Sequence, residues 1–170
     1  FYRISGIDSE DQGAVTNFAN DVGEFLTMKP RPTPAADAPP PAFTQPRVVG
    51  PLQWNAPILG ADTTFLRNHT DRLTKVTLIG PTTLALRLVD EHYGSLEAVA
   101  FALADVLNQE AKALVALGAD IIQIDEPEVH FRYSQVAAFA TEALDRTLAG
   151  VNAHTMVHVC YGYSKNIAEK

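Results

Sequence analysis

Two short segments hold the side chains best suited to chemistry. Gln123-Ile124-Asp125-Glu126-Pro127 sets two adjacent carboxylates directly after the apolar run of residues 119–124. Carboxylates at such a place bind an amine, a metal ion or a proton, or simply close a salt bridge at a strand end. His158-Val159-Cys160 ends a second apolar run. Residues i and i+2 of a strand point to one side. Imidazole and thiolate are both good zinc ligands, so the pair reads as one edge of a tetrahedral metal site. Two ligands do not make a site, and a lone cysteine is more often a buried free thiol. Cys160 is the only cysteine. It therefore has no disulfide partner within the chain, which suits a reducing, cytoplasmic setting. His69, His92, His130 and His154 read as surface or packing histidines.

The surrounding pattern says what must position these groups. Residues 47–54, 75–79, 119–124 and 155–159 are apolar runs of strand length. Between them lie helical patterns. Residues 62–68 make a short one. A long one starts at Ser95 as N-cap, has Glu97 in its first turn, keeps helical spacing from Leu96 to Leu117, and stops at Gly118. A third runs from Ser134 as N-cap through Leu148 and closes at Gly150. Strand and helix in alternation predict parallel strands with crossover helices. The continuous apolar runs predict strands covered on both faces. A doubly wound sheet and a (β/α)8 barrel both fit. No glycine-rich phosphate fingerprint follows a strand, which counts against a dinucleotide fold. In either architecture ligands bind at the carboxyl ends of the strands, where Asp125, His158 and Cys160 stand.

The chain of 170 residues reads as one domain, 1–170, with an extended proline-rich loop over residues 29–46 that holds seven of the eleven prolines. A closed eight-stranded barrel typically takes about 250 residues, so four βα units are expected to be part of one. An apolar fraction of 46% fits a globular protein. A net charge of -7 argues against a nucleic-acid or anionic-membrane partner. There is no apolar run of 18 residues to span a bilayer and no basic-then-apolar leader at Phe1.

The segments together resemble a known family. Ala119 to Pro127, followed one helix later by His158-Val159-Cys160-Tyr161, resembles the catalytic barrel of the cobalamin-independent methionine synthases. Lys75-Val76-Thr77-Leu78-Ile79-Gly80-Pro81-Thr82-Thr83 resembles that family's K-x-x-L-x-G-P-x-T segment. The likeness covers roughly residues 48–163. It implies a (β/α)8 TIM barrel, of which about four βα units are in this chain. It also implies a zinc-dependent methyltransferase that passes a methyl group to the thiol of homocysteine. By that resemblance His158 and Cys160 are two of four zinc ligands, and Asp125 binds the substrate amino group. The other ligands, a Glu and a second Cys, are expected beyond Lys170. Two further homocysteine-binding segments are expected before Phe1. Long members of the family stack a folate donor on a tryptophan shortly after G-P-x-T, where this chain has Arg87. The resemblance thus leaves the methyl donor open between a folate, methylcobalamin and others. It also leaves open a related zinc-thiol alkyltransferase, such as one joining an epoxide to coenzyme M, and a non-catalytic relative.

Overall fold

The computed structural model describes residues 3–8 and 45–160. Nearly all of the proline-rich stretch 29–46 lies outside them. The described elements run β1 (Ile4–Asp8), β2 (Arg47–Trp54), α1 (Gly60–Asn68), β3 (Lys75–Ile79), α2 (Pro81–Ala85), β4 (Val89–Asp90), α3 (Leu96–Ala116), β5 (Ile121–Asp125), α4 (Pro127–Phe131), α5 (Tyr133–Val136), α6 (Ala140–Leu148) and β6 (His154–His158). They form two three-stranded sheets, ordered β1-β2-β4 and β3-β5-β6. The fold is α/β as expected, and the described strands do not close into a barrel.

The second sheet is wholly parallel. Its side chains alternate. Val76, Leu78, Ile122 and Ile124 are buried against Ala111 and Leu114 of α3, with Leu144 and Leu148 of α6 packed alongside. Lys75, Thr77, Ile79, Gln123 and Asp125 occupy the opposite face. That face is at least partly open, so the expectation of strands covered on both faces is corrected: among the described residues, helices cover one. All five residues of β6 are exposed.

The strand at 47–54 is present but is not a member of the parallel sheet. Both of its edges are occupied elsewhere, by β1 running antiparallel and by β4 running parallel. The β1–β2 register slips between Ser5 and Ile7, where Gly6 sits at φ +89°. That backbone conformation suits glycine, and an added Cβ would overlap the Pro51 carbonyl.

Helix α3 ties the two sheets together. At 21 residues it is roughly 30 Å long. Its first half, through Val99, Ala100, Leu103 and Val106, packs with Val48 and Leu52 of β2, while Leu114 reaches the parallel sheet. The ends follow the sequence signals. The Ser95 hydroxyl oxygen accepts from Ala98 N at 3.1 Å. At the other end Gly118 takes φ +102°. Gly118 N donates to Val115 O and Ala119 N to Leu114 O, each at 3.0 Å, the paired bonds of a Schellman cap. A second anchor is Glu110, fully buried in α3. Its carboxylate accepts from Trp54 Nε1, Ile58 N and Leu59 N at 2.8–3.0 Å, pinning the β2–α1 connection.

The helical pattern at 134–148 breaks into α5 and α6. Ser134 lies inside α5, whose N-cap position is Arg132, and α6 starts from Phe139, so Ser134 caps neither helix. Gly150 does end the segment, at φ +67°.

Candidate functional site

Parallel pairing aligns Ile79, Asp125 and His158 in one row across the carboxyl ends of β3, β5 and β6. The row is extended by two backbone bonds, Gly80 N to Asp125 O at 2.8 Å and Glu126 N to His158 O at 2.9 Å. Asp125 is half-buried and His158 is exposed. Cys160 is a free, partly exposed thiol just past the same lip. Strand β6 ends at His158, so Val159 and Cys160 leave the ladder and strand alternation no longer sets the direction of Cys160. Among the described residues no group of three or more His, Cys, Asp or Glu side chains gathers closely enough to hold a metal ion.

The two adjacent carboxylates have different surroundings. Glu126 is fully buried. Its Oε1 accepts from Thr82 N at 2.9 Å, and its Oε2 accepts from Thr83 N at 2.8 Å and Thr83 Oγ1 at 2.6 Å. The two nitrogens are free amides at the start of α2, where a carboxylate satisfies orphan donors and meets the positive end of the helix dipole, and the Thr83 hydroxyl adds a third donor. Gly80 makes room for it, since an added Cβ would overlap the Glu126 carboxyl group. Glu126 therefore stitches β5 to the Gly80-Pro81 turn, and Asp125 is the carboxylate that faces the open side.

Asp125 in turn is held from below. Gln123 Nε2 donates to Asp125 Oδ1 at 2.7 Å, and Lys75 Nζ donates to Gln123 Oε1 at 2.7 Å. Neither Gln123 nor Lys75 stands out in sequence by residue type. The i, i+2 relation along β5 is the one signal that puts Gln123 beside Asp125.

The rim carries a second cluster. Glu128, largely buried, pairs with Arg87 and, at 3.4 Å, with Arg132. Its backbone N donates to Thr83 Oγ1 at 3.3 Å, linking the cluster to the Glu126 cap. An open hollow of about 490 Å³ lined by Leu73, Ala119, Asp120, Asn152, Ala153 and His154 sits at the amino ends of the strands, on the opposite edge from Asp125 and His158. Asp120 there is committed to Thr74 and Arg67.

Comparison with known proteins bears on what this lip is. Residues 8–170 match the family model described as the catalytic domain of cobalamin-independent synthase. Over 122 residues, 71% of the chain, the protein is 40% identical to a methionine synthase of Saccharolobus solfataricus, covering 36% of that relative. It is 38% identical over the same length to one from Sulfolobus acidocaldarius, covering 35%. The chain thus spans about a third of the length of the curated relatives it matches. Among solved structures, a B12-independent methionine synthase from Shewanella, described in complex with selenomethionine, superposes with a TM-score of 0.70 at 32% identity, over 99% of this chain and 43% of that one. A Listeria monocytogenes structure shares the fold at 17% identity and a TM-score of 0.61, over 73% of this chain and 43% of that one.

Proposed function

The chain belongs to the family of cobalamin-independent synthase catalytic domains, and from that premise we propose that it is part of a zinc-dependent methyltransferase that makes methionine from homocysteine. The observation that carries this reading is the row in which Asp125 stands in register with His158, with Cys160 just beyond. It joins a carboxylate suited to an ammonium group with two donors suited to a soft metal.

His158 and Cys160 would hold the zinc. An exposed imidazole and a partly exposed free thiol fit its preference for nitrogen and sulfur. Two ligands are half of the usual set, so the others come from residues outside those described. When bound, zinc supplies the positive charge that keeps a substrate thiol deprotonated at neutral pH. The chain's own residues do the rest. Asp125 pairs with the amino group of homocysteine by a charge-assisted hydrogen bond, which fixes the direction of the thiol-bearing arm. Glu126 keeps the Gly80-Pro81 turn against β5, so the lip does not deform when substrate binds. The Arg87–Glu128–Arg132 cluster puts guanidinium groups at the rim. The partners are small molecules, and a free cysteine at the site fits a reducing cytoplasm.

The full-length protein loaded with zinc should form methionine from homocysteine when given methyl-folate or methylcobalamin. Alkylation of coenzyme M by an epoxide, with homocysteine inert, would instead assign a related thiol alkyltransferase. Turnover of neither thiol would contradict an enzymatic role.

A further inference from the structure

Gln123 and Lys75 form a string of hydrogen bonds with only one possible direction. Lys75 Nζ has protons to give and no lone pair to offer, while an ionised Asp125 has lone pairs and no proton. The side-chain amide between them has one end of each kind. Its oxygen faces the ammonium and its nitrogen faces the carboxylate, both at 2.7 Å. The charges at the two ends thus settle the orientation of the amide, which the bare shape of a glutamine leaves two-fold ambiguous.

The geometry of the sheet makes the string possible. Gln123 and Asp125 are i and i+2 on β5 and share its open face. Lys75 pairs with Ile121 and Thr77 pairs with Gln123, so Lys75 is a diagonal neighbour of Gln123. The string climbs from the amino end of β3 to the lip. It ends on Oδ1 of Asp125, and among the described residues nothing bonds Oδ2.

We propose that Gln123, oriented by Lys75, is a positioning residue that holds the Asp125 carboxylate in one rotamer, with one oxygen occupied and the other presented to the ammonium group of an amino-acid substrate. This rests on the reading of Asp125 as the ammonium anchor. Gln123 itself touches no substrate. It removes the freedom of the carboxylate to swing before binding, and so it acts on substrate affinity and not on the transfer step. A glutamate there would set a second carboxylate against Asp125, and a methionine of similar length would leave Asp125 unheld.

The test is steady-state kinetics on the zinc-loaded full-length protein, with zinc content and thermal midpoint measured alongside. Gln123→Met should raise KM for homocysteine about tenfold, with kcat within about twofold and zinc content unchanged. Gln123→Glu should raise KM in the same direction. Lys75→Met should raise it less, and Lys75→Arg should restore it. In an Asp125→Asn background, Gln123→Met should add little, because it acts only through that carboxylate. Fully additive effects, or a KM unmoved by Gln123→Met and Gln123→Glu while Asp125→Asn raises it, would overturn the positioning role and leave the anchor standing. A KM unmoved by Asp125→Asn would remove the anchor itself.

Discussion

Asp125 and His158 face each other as register partners at the carboxyl ends of the adjacent parallel strands β5 and β6. A backbone ladder, and not a loop, therefore sets their lateral spacing, which adjacent strands keep near 4.8 Å. The bond from Glu126 N to His158 O continues the ladder one step past the strand end. Whatever chemistry the lip performs, the backbone that carries its acid and its imidazole is fixed by ladder bonds.

The lip also depends on a residue that is not itself in the row. Glu126→Ala would leave the amides of Thr82 and Thr83 without their acceptor inside the protein. A loss of about 1–3 kcal/mol is expected, read as a lower urea midpoint. Gly80→Ala should destabilise as well, because the added methyl enters the space of the Glu126 carboxyl. Wild-type midpoints for both variants would show that the cap is dispensable.

The long helix offers a separate check on the core. Leu107 is 3% exposed, and its neighbours Leu103, Val106 and Leu114 are at 0–1%. Leu107→Ala should cost about 2–5 kcal/mol. A change within measurement error would mean that the helix does not need this stripe.

How much of this was legible in sequence depended on how local the signal was. Ser95, Gly118 and the apolar spacing between them specify α3 without reference to the rest of the molecule, and α3 forms as expected. The strand runs were equally plain, but not their partners. The run at 47–54 looks like the other three, yet its ladder bonds go to β1 and β4, a long-range choice that no local pattern encodes. Ser134 failed as a cap for the converse reason: a suitable residue type is present, but it lies inside the short helix α5, and α6 begins only after Phe139. At the site, motif order placed Asp125 and His158 at strand ends. The resemblance singled out Asp125 over Glu126, but the sequence did not show that Glu126, pointing to the opposite, buried face, caps the amides of α2. Lys75 reaches Gln123 across strands, which no sequence spacing reveals.

The amino end of the sheet should respond to acid. The Asp120 carboxyl titrates below its ordinary value of 3.8, chiefly because Thr74 N donates to it, an effect opposed by burial and reinforced by the Thr74 hydroxyl and by Arg67. A carboxyl whose pKa is lower in the folded state stabilises that state at pH above its unfolded value. The contribution is lost as pH falls through the folded value. The stability gap between wild type and Asp120→Asn should therefore be constant from about pH 7 to about pH 5 and close at pH below about 4. A gap that persists undiminished at the lowest measurable pH would contradict this assignment.

The zinc content of the full-length protein, compared between wild type and Cys160→Ser, bears most directly on the proposed activity. A hydroxyl is a far poorer ligand for a soft metal than a thiolate, and the remaining ligands would have to hold zinc without it. Wild type is expected to carry close to one zinc per chain and Cys160→Ser to lose it, with methionine formation lost in parallel. Full zinc in Cys160→Ser, together with full activity, would make Cys160 a structural thiol and remove the metal site on which the proposed methyl transfer depends.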